Sequence, residues 1–171
     1  GRKFDTKYNR KELLGHVVQE YLRVSRNFKH ALNKGKITDD VFHSCLFLAR
    51  LDVTTRAGII DPGFMNSKDE DVMDLKSLYR NLHWHSFRVK DHCILNPTFG
   101  KGSNFILGAD GDLIIDDILI DIKVTKELKL RREYLNQLII YYILYLMGGV
   151  DSFPYRIKIN YFGIYFARHS R

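Results

Sequence analysis

The sequence predicts an α/β fold, with helices packed around a short mixed sheet in a single domain spanning residues 1–171. Three observations carry that class. Apolar residues recur at helical spacing through the first half of the chain. After the Pro/Gly loop "NPTFGKGS" the pattern turns to short Ile/Leu runs with aspartates between them. A long apolar helical segment then separates those runs from a last stretch rich in β-branched and aromatic residues.

Taken in order, "KELLGHVVQEYLRV" (Lys11 to Val24) sets Leu13, Leu14, Val17, Val18, Tyr21 and Val24 on one broad stripe and predicts the first helix. Glu20 falls beside Val17 and Val24 at the edge of that stripe, with His16 one turn earlier. "ITDDVFHSCLFLARLDVTTRAG" opens on a Thr38/Asp39 cap and predicts a second helix that stops near Gly58. A third helical pattern runs from about Ser67 to Leu82. Its acidic first turn (Asp69, Glu70, Asp71) suits the positive end of a helix dipole and needs no chemistry. These elements make a helical N-terminal part, residues 10–95. The next part, residues 97–147, holds "NFILGADGDLII" and "ILIDIKV" as a hairpin turning at Asp116 and Asp117. A helix from about Glu127 to Met147 follows, closed by Gly148 and Gly149. Within it "LIIYYILYLM" is too short to span a bilayer and reads as a buried helix segment. "YRIKINYFGIYFARH" supplies the final strands, 155–167.

The chain carries 27 Lys and Arg against 20 Asp and Glu, a formal charge of +7, which favours a polyanionic partner over a cationic one. Cys45 and Cys93 lie far apart without CxxC spacing, against a disulfide framework and a structural zinc site, and read as buried thiols. The charged start "GRKFDTKYNRKELL" lacks the apolar core of a signal peptide, so the expected compartment is the cytoplasm, with no membrane partner. The seven histidines form no metal-spaced cluster, and His83 and His85 around Trp84 read as structural or surface residues.

The aspartates of "GADGDLIIDDILIDIKVTK" are the informative residues. With a two-residue turn at Asp116 and Asp117, Ile115 pairs with Ile118, Ile114 with Leu119, Leu113 with Ile120 and Asp112 with Asp121. Asp110, Asp112, Asp121 and Lys123 then share one face, and Leu113, Ile115, Ile118, Ile120 and Ile122 the other. Directly opposed Cβ atoms lie roughly 4.5–5.5 Å apart, a separation at which like charges repel and need compensation. A Mg²⁺ ion would compensate, since it takes one or two carboxylates with waters and a substrate phosphate. Lys123 lies where it can hold a water for attack, which completes the parts of metal-assisted phosphodiester hydrolysis. Asp116 and Asp117 read as a polar turn, and Asp110 stays ambiguous between a partner of Lys123 and a rival of Asp112.

These residues resemble the PD-(D/E)xK nuclease superfamily, in which an aspartate on one strand precedes (D/E)xK on the next, here Asp112 and "DIK" at Asp121 to Lys123. "GADGD", "DIK" and "QLIIY" (Gln137 to Tyr141) are similar, in order, to the motifs of the RecB-type exonuclease branch with its QxxxY signature. Gly111 stands where the family has a proline. The resemblance covers mainly residues 97–147. It implies a restriction-endonuclease-like α/β/α sandwich, a central mixed sheet flanked by helices, and a Mg²⁺ or Mn²⁺ cofactor. It implies a nuclease that hydrolyses DNA phosphodiester bonds by attack of a Mg-activated water. Asp112, Asp121, Glu20 and the main-chain carbonyl of Ile122 would bind metal, with His16 second to Glu20. Lys123 would orient water, and Gln137 and Tyr141 would position the strand.

Lys126, Lys129, Arg131 and Arg132 crowd the expected start of the long helix, where cations oppose the dipole, so DNA phosphate is the expected partner there. The alternative is a catalytically inactive nucleic-acid-binding module on the same fold. Exonuclease or endonuclease, strandedness, DNA or RNA, and oligomeric state, a homodimer included, stay open at this stage.

Overall fold

A computed structural model of the chain describes residues 10–57, 67–106, 109–151 and 157–171. The expected helix stop at Gly58, the strand positions Leu107 and Gly108, the start of the final strands at Tyr155 and Arg156, and the side chain of Leu13 lie outside the described residues. The fold is mixed α/β: four α-helices and a four-stranded mixed sheet among the described residues. Contacts divide it into two compact units, one reaching to Tyr79 and the other running from Arg80 to Arg171. No described helix is long and apolar enough to cross a membrane.

The first unit is helical. Helix α1 spans Arg10–Lys34, α2 spans Asp39–Ala57 and α3 spans Asp69–Asn81, its last two residues belonging to the second unit. The broad stripe expected on α1 is narrower in fact: Val24 and Ala31 are buried and Val17 and Phe28 partly so, whereas Leu14, Val18 and Tyr21 are exposed. Val24 and Phe47 form the centre of the α1–α2 contact, with Leu48 and Leu51 beside them. Arg50 pairs with Asp71 at 2.6 Å and Lys76 with Asp39 at 2.6 Å, so the acidic starts of α3 and α2 anchor these helices to each other. Cys45 is only partly buried, which still raises its thiol pKa, and Cys93 is exposed, so neither is the fully buried thiol expected.

The second unit holds the sheet in the order β1 (Cys93–Leu95), β2 (Leu113–Ile115), β3 (Ile118–Lys123), β4 (Tyr161–Phe166). The hairpin register is the expected one: Leu113 opposite Ile120, Ile114 opposite Leu119 and Ile115 opposite Ile118. Strand β4 runs parallel to β3, an arrangement that requires a crossover, and helix α4 (Arg132–Gly148) supplies it. Side chains divide by alternation. Ile114 and Leu119, both fully buried, pack with Phe99, Tyr141, Leu144 and Tyr145 under α4, while Leu113, Ile115, Ile120 and Tyr165 pack on the other face with Leu82 and Phe87.

Several expectations change here. Asn104 to Ile106 belong to a 3₁₀ segment, Gly100–Ile106, and not to a strand; the first hairpin strand is only Leu113–Ile115. The part read as helical to residue 95 contains a 3₁₀ turn, Trp84–Phe87, and strand β1. Helix α4 begins at Arg132 and not near Glu127. "LIIYYILYLM" is not buried as a whole. One helix on one sheet face buries one stripe, here Tyr141, Leu144 and Tyr145, and leaves Ile139, Tyr142, Ile143 and Leu146 about half exposed.

Two close approaches fix α4. A Cβ on Gly148 would lie 1.9 Å from the Phe99 carbonyl oxygen, and one on Gly102 would lie 2.7 Å from the Leu144 carbonyl oxygen. Backbone therefore meets backbone between α4 and the 3₁₀ segment. Gly149 ends the helix with φ +71°.

The turn aspartates do more than reverse the chain. Asp116 sits in the left-handed region, φ +53°, and its carboxylate accepts the backbone N–H groups of Lys90, Asp91 and His92 at 2.9–3.3 Å. Asp117 accepts the backbone N–H of Asn160 and of Tyr161 at its carbonyl, and the Asn160 amide at its carboxylate, 2.7 Å. The turn thus ties down the entries to β1 and β4, the two outer strands. The N–H groups of Asp91, His92 and Lys90 hold the Asp116 pKa below its ordinary value of 3.8, so this carboxylate stabilises the fold above that pH and ceases to do so as pH falls through its depressed value. Asp116→Asn, which tolerates the same backbone conformation, is expected to lower the urea midpoint at neutral pH. The gap to the parent should narrow as pH falls through the depressed value; a gap that stays constant from neutral pH into acid refutes the assignment.

Candidate active site

Asp112 directly precedes β2, and Asp121 and Lys123 occupy β3 on the face turned to α4. Asp112 is placed by its neighbours: Asn96 N–H donates to its carbonyl at 3.0 Å, and Gly111 N–H donates to the Pro97 carbonyl at 2.8 Å. Thr98 bridges Asp110 one step further. A proline at position 111 would lose the bond to Pro97, and a Cβ there would stand 3.2 Å from the Pro97 ring. The Asp112 carboxylate accepts the Ile122 N–H at 2.6 Å, so it reaches across to β3 beside Asp121.

Asp121 is the most buried charged group described, 1% exposed. Its Oδ2 has the Lys123 ammonium at 2.7 Å as an ion pair, and no donor in regular hydrogen-bond geometry. Burial raises its carboxyl pKa above the ordinary value; Lys123 opposes that shift and the nearby Asp112 adds to it. Lys123 Nζ also donates to Gln137 Oε1 at 2.8 Å. The Gln137 amide donates to the Tyr141 hydroxyl at 2.6 Å, which donates to the Asp110 carbonyl at 3.1 Å. Gln137 and Tyr141 share one face of α4 because they are four residues apart. Burial raises the Tyr141 pKa, Gln137 opposes the rise, and Asp121, Asp112 and Asp110 add to it, so the hydroxyl stays a donor.

The structure therefore brings Asp112, Asp121, Ile122, Lys123, Gln137 and Tyr141 together, and uses Asp110 through its carbonyl. Gln137 engages Lys123, and Tyr141 engages Gln137 and the backbone before β2. Glu20 lies on α1 in the first unit, where Arg23 pairs with it at 2.6 Å, and His16 is exposed on the same helix. Both residues belong to the first unit, and the cluster of Asp112, Asp121 and Lys123 belongs to the second. Lys126 and Lys129 are exposed in the segment before α4, Arg131 is its N-cap and Arg132 its first residue, so the cations precede the helix more than they line it. Arg131 lies 3.7 Å from Glu127.

One residue was not singled out from the sequence: Tyr134, whose ring centroid is 5.1 Å from Lys123 Nζ. It lies three residues before Gln137, hence on the same helix face, and that spacing is the signal that could have found it.

Two adjacent carboxylates and a strand carbonyl are hard oxygen donors, the set Mg²⁺ or Mn²⁺ prefers, and Asp121 Oδ2 is a shielded acceptor with only an ammonium to balance it. Among the described residues no group of three or more His, Cys, Asp or Glu is disposed to hold a metal ion. A cation here would need waters and substrate oxygens to complete its shell. Comparison with protein-family models, with curated proteins and with solved structures finds no match.

Proposed function

We propose that the chain is a Mg²⁺- or Mn²⁺-dependent nuclease of restriction-endonuclease-like architecture that hydrolyses DNA phosphodiester bonds. The observation that carries this reading is the buried Asp121 carboxylate beside Asp112, balanced by Lys123, which Gln137 in turn holds. Asp112, Asp121 and the Ile122 carbonyl would hold the ion. When bound, it supplies a Lewis acid that polarises phosphate and water. Lys123 presents a positive charge, fixed by Gln137, toward the developing negative charge of the phosphate, and orients the attacking water. Tyr141 fixes Gln137 and ties α4 to the Asp110 backbone, so the register between helix and hairpin is kept during turnover. Lys126, Lys129, Arg131 and Arg132 bind the flanking phosphates, an interaction that weakens with salt.

The test is digestion of end-labelled linear, circular and single-stranded DNA by the purified chain. Cleavage with Mg²⁺ and none in EDTA is expected. Retention of DNA in EDTA without cleavage under any divalent cation overturns the enzyme reading and leaves the binding module.

A further inference from the structure

We infer that Lys123 is the resting counter-ion of Asp121, which it gives up for a second seat on Gln137 and Tyr134 when a divalent cation takes the carboxylate. The inference rests on the metal-dependent reading above and concerns how the site is kept before it is loaded.

Asp121 is 1% exposed, and a carboxylate at that depth needs a positive partner to stay ionised. Lys123 provides it from the same strand and the same face, two residues on, at 2.7 Å. An ammonium has three N–H groups. Nζ donates one to Gln137 Oε1 at 2.8 Å, stands 2.7 Å from Asp121 Oδ2 as an ion pair, and has the Tyr134 ring centroid 5.1 Å away.

The partners other than Asp121 are neutral and independently held. Tyr141 fixes Gln137, and Phe166 packs edge-on against Tyr134 at 6.3 Å between centroids. They form a seat that survives the loss of the Asp121 contact. Tyr134 thereby becomes a positioning residue for Lys123.

A divalent ion and the ammonium cannot share one buried oxygen, because two positive charges some 4 Å apart repel strongly when poorly solvated. Loading through Oδ2 therefore includes breaking the Asp121–Lys123 pair, and the pair lowers the affinity of the site for cations. It also keeps the two carboxylates from facing each other uncompensated when no cation is present.

The experiment is a Mn²⁺ titration of the whole chain, reading free Mn²⁺ by electron paramagnetic resonance at low ionic strength without DNA. It compares the parent with Lys123→Met and Lys123→Gln, and circular dichroism checks that each is folded. Both variants are expected to bind Mn²⁺ on the order of tenfold more tightly than the parent, although they lack the lysine needed for cleavage. Two substitutions of different polarity keep the test open if one fails to fold. Equal or weaker binding by the variants overturns the displacement and leaves the metal-centre reading standing. Absence of binding by all three proteins overturns both.

Discussion

Asp121→Asn is expected to reduce DNA cleavage by on the order of 10³-fold or more while the chain stays folded, because it removes the buried charge and keeps the side chain's shape. A cleavage rate within a factor of a few of the parent's overturns the site. Stability gives a second reading of the same substitution. The folded-state pKa of Asp121 lies above its ordinary value of 3.8, so the unfolded chain releases this proton at lower pH than the folded one. The parent therefore loses stability from this group as pH rises through the interval between the two values, and the loss is complete above the raised value. The asparagine variant lacks that decline, so its urea midpoint should gain on the parent's from pH 4 upward. Added Mg²⁺ should raise the melting temperature of the parent, since a ligand that binds only the folded state stabilises it, and should leave that of the variant unchanged.

Gly148→Ala is the substitution with the largest expected effect on stability. Alanine normally favours a helix over glycine by about 1 kcal/mol. Here the added carbon would stand 1.9 Å from the Phe99 carbonyl oxygen and 2.8 Å from the Gly102 nitrogen, both backbone atoms that cannot rotate away. The sign should reverse, with a loss of about 3 kcal/mol or more as α4 is forced off the 3₁₀ segment. Because Gln137 and Tyr141 ride on that helix, cleavage should fall as well, even at temperatures where the variant is folded. Equal or higher stability in chemical denaturation refutes the close approach.

The hairpin's register is legible in the sequence, though not the length of its first strand, because its determinants are local: apolar alternation on both sides of two adjacent aspartates fixes register, and register fixes which side chains meet. Asp112, Asp121 and Lys123 followed from that geometry, and the four-residue spacing of Gln137 and Tyr141 placed both on one side of α4. Strand β1 was not legible. "CIL" is three residues long, and what makes it a strand is pairing with Leu113 to Ile115, some twenty residues away. The start of α4 is not legible either, because "ELKLR" has good helix formers, yet the helix begins only at Arg132. The stripe on α1 is wider in the sequence than in the fold because periodicity reports which residues can be buried, and only packing against α2 decides which are. By sequence Asp116 is a turn former; its grip on three N–H groups 24 to 26 residues upstream has no signature in its immediate surroundings.

That grip bears on the order in which the sheet assembles. Closing β2 on β3 costs the entropy of a two-residue loop, whereas the contact from Asp116 to Asp91 closes 25 residues and that from Asp117 to Asn160 closes 43. The hairpin is the inexpensive first step and both outer strands are late arrivals. Each finds at the same tight turn a carboxylate already held in place, so the most local element of the sheet also carries the addresses for its most distant ones.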